Sequence, residues 1–292
     1  MNLKIFTLFT AFIQLILIAH LGAVISKSDC NFVILITSYN NELWAEENLD
    51  SACWQESTNP YHVIYINDCS TDNTGNVVDA YVKKHHLEEK VTVIHNEKNR
   101  GAMANIYHAI HELIADDKIV VSLDGDDALP HSGVLLKLEK YYDDPLEVWI
   151  TYGSYGTIPE GIYFNDFVEE VPAWVFETNQ LRDYPFQTSH LRTFRAWLFK
   201  LIAKEDFFYD GRFMPVAWDM AMMFPMLEMS YSQNGNHIRC IQETMYNYRV
   251  NNPLSDFRIA GDLQDTIAHF IRNKKNYSPL EFNKFKTIFL LF

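Results

Sequence analysis

The sequence of 292 residues lacks the glycine-rich loops that usually bind phosphate groups. After the first predicted strand there is neither a GxGxxG nor a GxxxxGKS/T pattern, so no loop of backbone amides is available to neutralise a dinucleotide or a triphosphate. If this chain binds a diphosphate, other groups must offset the charge of that diphosphate.

Basic residues are also scarce. The 24 lysines and arginines are outnumbered by 38 aspartates and glutamates, which gives a formal net charge of −14. A general nucleic-acid-binding protein needs a basic surface to displace counterions, so this class is excluded. Hydrophobic residues make up 48% of the chain and charged residues 21%, as in ordinary globular proteins, which excludes a disordered chain.

Cysteine is rare and has no metal-binding pattern. The chain has four cysteines, with no CxxC pair and no histidine at zinc-finger spacing, and they are Cys30, Cys53, Cys69 and Cys240. A structural zinc site is therefore not expected. We interpret the four residues as reduced thiols. The alternative is one disulfide bond between two of them, if the chain enters an oxidising compartment.

The first 29 residues differ from the rest of the chain because they contain a long apolar run. Residues 5–25 are almost wholly apolar, and Leu21-Gly22-Ala23 is an acceptable signal-peptidase site. The run is also long enough to cross a bilayer as an uncleaved anchor. Lys4 and Lys27 flank it equally, so its orientation stays open. We predict a signal peptide or membrane anchor over residues 1–29, and a location at a membrane or in the secretory pathway.

From Asn31 onward, β-rich runs alternate with helical stretches. Strands are predicted over residues 32–36, 62–66, 91–95, 119–123 and 148–152. Helices are predicted between them over residues 43–55, 76–86 and 102–115. This alternation predicts βαβ units and an α/β fold with a mostly parallel central sheet flanked by helices.

The periodicity is poorer beyond Tyr152, where residues 153–183 are rich in aromatics, proline and glycine. Further helices are predicted over residues 195–203, 218–229 and 259–292, and Pro225 is expected to interrupt the second. We expect one domain over residues 30–258, behind the N-terminal segment and before a helical tail.

Four polar clusters follow the first four strands in succession. They are Thr37-Ser38-Tyr39-Asn40, Asn67-Asp68-Cys69-Ser70-Thr71-Asp72, Asn99-Arg100-Gly101 and Asp124-Gly125-Asp126-Asp127. The carboxyl ends of the strands in an open α/β sheet converge on one crevice, which is where ligands bind. One such cluster would be a turn, whereas four in a row predict a binding site.

The last cluster suits a divalent cation. Carboxylates separated by glycine, as in Asp124 and Asp126, can turn towards one hard ion and leave positions for water and phosphate oxygens. Ligand hardness favours Mg²⁺ or Mn²⁺. An EF-hand is excluded, because Leu129 and Leu135 stand where that loop needs glycine and glutamate. Taken alone, the cluster would more often be a solvated acidic turn.

Together, the four clusters resemble the successive motifs of family 2 glycosyltransferases with the GT-A fold, over residues 32–130. Asn67 and Cys69 depart from the family pattern, which often has aspartate and glycine there. The resemblance implies transfer of a sugar from a nucleotide-sugar donor, UDP-linked, to a hydroxyl of a glycan, lipid or protein, with inversion and with Mn²⁺ or Mg²⁺. It also implies a nucleotide-binding half over about residues 30–130, and an irregular, partly helical acceptor half over about residues 131–258.

The resemblance also implies roles for individual residues. Thr37 and Asp68 would contact the base, and the acidic residues of the last cluster would contact the ribose and hold the metal. Asp126 is the favoured ligand, with Asp124 or Asp127 assisting. The remaining residues predicted at the donor site in these clusters are Tyr39, Asn40 and Arg100. Ser70, Thr71 and Asp72 are interpreted as caps of the following helix.

The predicted catalytic base is Asp219. Inverting members use a carboxylate at the start of a helix after the metal motif, and Asp219 has that placement. A helix N-cap is the alternative role for Asp219, and Asp206 and Asp210 are rival candidates for the base.

Two arginines lie in later segments that also look familiar. Arg192 lies in the segment 188–194, and Arg249 lies in the segment 246–255, which resembles a C-terminal motif of some family members. Both are predicted to neutralise the leaving diphosphate, with surface salt bridges as the alternative. A methionine-rich stretch is interpreted as core, and it comprises Met220, Met222, Met223, Met226 and Met229.

Two other functions stay open at this point. A nucleotidyltransferase also joins an α/β sheet to metal-binding acids, but it normally has a basic, glycine-rich loop where this chain has Asn40-Asn41-Glu42. A non-catalytic nucleotide-sugar-binding protein would keep the pocket without turnover. The presence of every expected acidic residue argues against the second.

Overall fold

The computed structural model describes residues 31–144, 147–159, 168–232, 235–254 and 260–281. The predicted signal peptide or anchor, Cys30 and the end of the predicted helical tail lie outside these ranges. None of the helices within them has the length and apolar character needed to cross a membrane. Cys53, Cys69 and Cys240 are free thiols.

The central sheet has seven strands in the order β3-β2-β1-β4-β7-β5-β12. Their bounds are β1 Phe32–Ser38, β2 Tyr61–Asn67, β3 Val91–His95, β4 Ile119–Asp124, β5 Ile150–Gly153, β7 Arg192–Arg195 and β12 Ile238–Ile241. Only β7 runs antiparallel to its neighbours in this sheet. The predicted α/β fold with a mostly parallel sheet is confirmed.

The shorter strands lie in the second half of the described chain. They are β6 Gly156–Ile158, β8 Phe208–Tyr209, β9 Arg212–Phe213, β10 Tyr231–Ser232, β11 Gly235–Asn236 and β13 Asn247–Arg249. The helices are α1 Ala45–Cys53, α2 Thr74–His85, α3 Ala102–Glu112, α4 Val134–Tyr142, α5 Ala173–Glu177, α6 Ala196–Lys200, α7 Trp218–Ser230 and α8 Gly261–Arg272, with a 3-10 turn at Lys204–Phe207.

All five predicted strands and the first three predicted helices are present, with small shifts at their ends. Three expectations about the second half are wrong. Helix α7 runs through Pro225 without interruption, because tertiary packing on all its sides holds it despite the missing amide. Arg195 belongs to β7 rather than to a helix, and helix α8 ends at Arg272, so residues 274–281 are not helical.

The core lies on both faces of the sheet, because successive residues of a strand point to opposite faces. In β1, Val33 and Leu35 belong to one buried cluster, and Phe32, Ile34 and Ile36 belong to the other. The five methionines of α7 are all buried, so their interpretation as core is confirmed.

The antiparallel strand β7 brings a distant part of the chain to the predicted ligand-binding edge. Arg192, the first residue of β7, pairs in register with Ser122 near the end of β4. Because β7 runs opposite to β4, its beginning lies at the carboxyl ends of the parallel strands. Arg192 therefore lies at the same edge of the sheet as residues 124–127.

A buried ion pair joins helix α8 to the rest of the domain. The Arg182 guanidinium donates to the two Glu228 oxygens at 2.6 and 2.8 Å, and to the Ile271 carbonyl of α8 at 2.9 Å. The Tyr277 N–H donates to Glu228 at 2.9 Å. Since both charged side chains are less than 5% exposed, each needs the other as its counter-charge.

We expect Glu228→Ala to lower the free energy of unfolding by about 3–5 kcal/mol, because the substitution leaves a buried arginine without a counter-charge. Glu243→Ala removes an exposed pair with Lys137 and serves as the matched control, with an expected cost below about 1 kcal/mol. Urea unfolding followed by circular dichroism measures both. Equal effects in the two variants would contradict a structural role for the buried pair.

Candidate active site

The DGDD turn (residues 124–127) begins where β4 ends, and it packs tightly against the end of β1. The Gly125 N–H donates to the Thr37 carbonyl at 3.0 Å. A Cβ on Gly125 would lie 2.4 Å from the Cβ of Ser38 and 2.8 Å from its Cα. Glycine is therefore required at this position, since a side chain would push the turn away from the sheet.

The three aspartates of the turn have different surroundings. Asp127 is only 1% exposed. Its Oδ2 accepts a hydrogen bond from the Tyr246 hydroxyl at 2.6 Å, and its Oδ1 accepts one from the Arg249 N–H at 2.6 Å. Asp124 and Asp126 are partly exposed. The turn thus combines one fully buried aspartate, held by two protein donors, with two aspartates that are partly exposed.

Burial and mutual repulsion disfavour negative charge in this turn. Burial raises the pKa of the Asp126 carboxyl, although a hydrogen bond from Asn252 and the charge of Arg249 oppose the shift. Burial also raises the pKa of Asp127 well above its usual value, and the charges of Asp126 and Asp124 add to that shift. A bound cation would favour the ionised forms of these groups.

The donor chemistry of Asp124 and Asp126 fits Mg²⁺ or Mn²⁺. Both supply hard carboxylate oxygens, and such ions commonly bind one or two carboxylates together with substrate phosphates and water. Across the described ranges, no group of three or more His, Cys, Asp or Glu side chains is arranged to hold a metal ion. Asp124, Asp126 and Asp127 stay predicted ligands, and of the three Asp127 already has both oxygens hydrogen-bonded within the protein.

Asp68, at the end of β2, holds the loop that precedes α3. Its carboxylate accepts the Arg100 N–H at 2.9 and 3.1 Å and the Gly101 N–H at 2.8 Å. The Asn96 side-chain amide donates to it at 2.7 Å. Asp68 therefore shapes the crevice by joining the second and third polar clusters, and its predicted contact with a base stays a prediction. The Arg100 side chain is exposed.

Hydrogen bonds of Asn40 join the first polar cluster to the second. The Asn40 N–H donates to the Ser70 hydroxyl at 2.9 Å, and the Asn40 Oδ1 accepts the Thr71 N–H at 2.8 Å. Ser70 and Thr71 therefore do not cap α2 as expected. Asp72 does not occupy the N-cap position either, which is Asn73, but its Oδ1 accepts the Thr74 N–H at 3.0 Å at the start of the helix.

Two neighbours of Asn40 are accessible to a ligand. Tyr39 is 43% exposed, and Thr37 is partly exposed at the end of β1. Thr37 contacts the DGDD turn, because its carbonyl accepts the Gly125 N–H, and a place in the donor site stays a prediction for both residues.

Asp219 is paired with Arg192 at the same edge of the sheet. The Arg192 Nη2 donates to the Asp219 Oδ2 at 2.8 Å, and the Arg192 Nε donates to the Thr188 carbonyl at 3.2 Å. Asp219 lies in the first turn of α7, where Ala217 occupies the N-cap position, so the N-cap alternative is wrong. The two predicted residues, distant in sequence, thus form one ion pair beside the end of β4.

The rival candidates for the base have other surroundings. The Asp206 carboxylate accepts the Tyr277 hydroxyl at 2.5 Å and pairs with Lys274 at 3.2 Å. Asp210 lies in the turn between β8 and β9. Neither forms the ion pair that Asp219 makes with Arg192 at the carboxyl edge of the sheet.

The guanidinium of Arg249 contacts the backbone of the DGDD turn. Its Nε donates to the Asp126 carbonyl at 2.6 Å, its Nη2 pairs with Glu47, and the group lies 5.5 Å from the centre of the Trp44 ring. Arg249 is only 5% exposed. Its contacts stabilise the turn, and its predicted role towards a diphosphate stays a prediction.

Sequence reasoning missed the residues that join the two halves of this site. The His190 ring stacks on the Tyr246 ring with centroids 4.3 Å apart, and the His190 Nδ1 lies 3.3 Å from the Arg192 Nη1. The Asn48 side-chain amide donates to the carbonyls of Asp124 and Asp127, both at 2.8 Å. His190 and Tyr246 lie inside the segments 188–194 and 246–255 that the sequence had singled out, but no local pattern in the sequence indicates the role of Asn48.

The comparison with known proteins identifies related sequences. The profile of glycosyl transferase family 2 matches residues 33–206, which is more than half of the chain. Glycosyltransferase GlyG of Streptococcus pneumoniae serotype 4 is 27% identical over 189 residues, which cover 61% of this chain and 60% of that protein. The match therefore spans less than two thirds of the length of this relative.

Solved structures of other proteins share the fold. Staphylococcus aureus TarS, residues 1–349 in complex with UDP, has a TM-score of 0.55 and 21% identity, with coverage of 76% of this chain and 61% of that chain. Glucosyl-3-phosphoglycerate synthase from Mycobacterium tuberculosis, in complex with Mn²⁺, UDP and phosphoglyceric acid, has a TM-score of 0.55 and 14% identity, with coverage of 89% and 84%. At these identities the likeness shows the fold alone.

We expect Gly125→Ala to lower the free energy of unfolding by about 1–3 kcal/mol, because the new methyl group would overlap Ser38. Gly261→Ala is the matched control, since no atom lies within 4 Å of its added Cβ and its stability should change little. Urea unfolding at neutral pH measures both variants. A Gly125→Ala variant as stable as Gly261→Ala would contradict the tight packing of the DGDD turn.

Proposed function

The chain belongs to glycosyl transferase family 2, as its four polar clusters predicted, and from this membership we propose that it is an inverting, metal-assisted sugar transferase. The donor is a nucleotide-sugar, UDP-linked, and the acceptor is a hydroxyl of a glycan, lipid or protein. One observation carries the proposal: the DGDD turn and the Arg192–Asp219 pair lie at the same edge of the sheet.

The donor lies across the carboxyl ends of β1, β2 and β4 in this proposal. Thr37 and Asp68 contact the base, with Tyr39, Asn40 and Arg100 lining the site. Two relatives of the same fold were solved with UDP, one of them also with Mn²⁺, which supports these choices of nucleotide and ion. Asp124 and Asp126 would hold Mn²⁺ or Mg²⁺, and when bound the ion would supply positive charge next to the leaving diphosphate.

Asp219 acts as the general base. Its carboxylate removes the proton from the acceptor hydroxyl, whose oxygen lone pair forms a bond to the anomeric carbon of the sugar. The bond from that carbon to the diphosphate oxygen breaks on the opposite face, and its electron pair leaves with the nucleoside diphosphate. Arg192 holds the orientation of the Asp219 carboxylate through the ion pair.

The two buried arginines would act on the diphosphate at a distance in this proposal. The Arg192 guanidinium already pairs with Asp219, and that of Arg249 already pairs with Glu47. Arg192 and Arg249 are only 4% and 5% exposed, so little of either guanidinium is open to a bound diphosphate. We therefore assign to both a contribution through charge rather than through direct phosphate contacts.

We further propose that residues 1–29 target or anchor the enzyme at a membrane or in the secretory pathway. The support is the apolar run in the sequence. Fractionation of cells that express the full chain, with mass spectrometry of its N-terminus, separates a cleaved signal peptide from a retained anchor.

Release of UDP from a panel of UDP-sugars, with and without Mn²⁺, tests the main proposal. Transfer predicts release of UDP that depends on the added ion and increases with a suitable acceptor. A nucleotidyltransferase would instead release pyrophosphate from a nucleoside triphosphate. A non-catalytic binding protein would bind UDP without any turnover.

We expect Asp219→Asn to lower the rate of UDP release by about 10²–10⁴-fold, because the amide cannot accept the proton. Asp126→Ala should abolish transfer through loss of the ion. Asp210→Asn, in the turn between β8 and β9, is the control and should keep the activity of the wild-type chain. Full activity of Asp219→Asn would remove this residue from the mechanism.

A further inference from the structure

Hydrogen bonds from a later part of the chain hold the DGDD turn in place. We call this part, residues 246–252, the clamp. The Tyr246 hydroxyl contacts both ends of the turn, because it donates to the Asp127 Oδ2 at 2.6 Å and accepts the Asp124 N–H at 3.2 Å. The Tyr246 side chain is completely buried. One hydroxyl therefore fixes the distance between the first and the last residue of the turn.

The clamp also holds the third residue of the turn. The Asn252 Nδ2 donates to the Asp126 Oδ2 at 2.6 Å, and the Asn252 Oδ1 accepts the Leu254 N–H at 2.9 Å. Asn252 is 4% exposed, so these two bonds fix its side chain in one orientation. The hydrogen bond to Asp126 in turn restricts the rotation of that carboxylate.

Asp127 has the environment of an anchor rather than that of a ligand. Both of its oxygens accept hydrogen bonds from the clamp, one from Tyr246 and one from the Arg249 N–H. Asp127 is also 1% exposed, so a cation has less access to it than to the partly exposed Asp124 and Asp126.

We propose that Tyr246 and Asn252 are positioning residues, which hold Asp124 and Asp126 in place for a divalent cation while Asp127 anchors the turn. This inference rests on the proposed function, because it assumes that the turn binds a cation. Residues that hydrogen-bond to metal ligands commonly change metal affinity by about 10–100-fold when they are replaced.

The test measures the affinity of the full chain for Mn²⁺ in the presence of UDP, by electron paramagnetic resonance of the free ion. Tyr246→Phe removes one hydroxyl and keeps the ring, and Asn252→Ala removes the donor to Asp126. We expect each to weaken Mn²⁺ binding by about 10–100-fold. The matched controls, Tyr277→Phe and Asn276→Ala, lose hydrogen bonds elsewhere and should bind Mn²⁺ as the wild-type chain does.

Asp126→Ala separates the failure of this inference from the failure of the proposed function. If Asp126→Ala binds Mn²⁺ as tightly as the wild-type chain, the turn is not the metal site and both ideas fail. If Asp126→Ala loses Mn²⁺ while Tyr246→Phe and Asn252→Ala keep wild-type affinity, the clamp alone is overturned. Circular dichroism confirms that each variant is folded, and either clamp variant that folds suffices for the test.

Discussion

The buried carboxylate of Asp127 connects two parts of the chain that are far apart in sequence. It is the last residue of the DGDD turn that follows β4, and its two oxygens accept hydrogen bonds from Tyr246 and from the backbone of Arg249. A buried carboxylate without such donors would be strongly disfavoured. The position of the DGDD turn, and with it the shape of the crevice at the sheet edge, therefore depends on the later segment being folded against it.

Tyr246 also connects the DGDD turn to the proposed base, Asp219, through a series of side-chain contacts. The Tyr246 ring stacks on His190, whose Nδ1 lies beside a guanidinium nitrogen of Arg192, and Arg192 pairs with Asp219. Because arginine only donates, the His190 Nδ1 must accept and carries no proton. Burial and the charge of Arg192 hold the pKa of His190 well below its usual value, which agrees with a neutral ring. The two halves of the site are thus joined by an unbroken series of contacts.

The sequence predicted the parts of this site that local patterns determine. Hydrophobic periodicity located β1 to β4, and the polar residues after each strand indicated a shared crevice, which Asp68 and Asn40 form by hydrogen bonds between clusters. Periodicity carries no information on strand direction, so it could not predict the antiparallel β7, which brings Arg192 to this edge of the sheet. The contacts of Tyr246 are likewise non-local, since its hydroxyl meets a residue 119 positions away.

The DGDD turn needs the clamp for an electrostatic reason that would not apply to a glycine-rich loop. A loop of backbone amides binds phosphate with neutral dipoles that do not repel one another. Three neighbouring aspartates do repel one another, and this repulsion contributes to the raised pKa of Asp127. Hydrogen bonds from other parts of the chain must therefore offset the repulsion between these aspartates. Tyr246, Asn252 and Arg249 donate hydrogen bonds to it, and Asn48 donates to its carbonyls, so donors from several distant parts of the chain hold the turn in place.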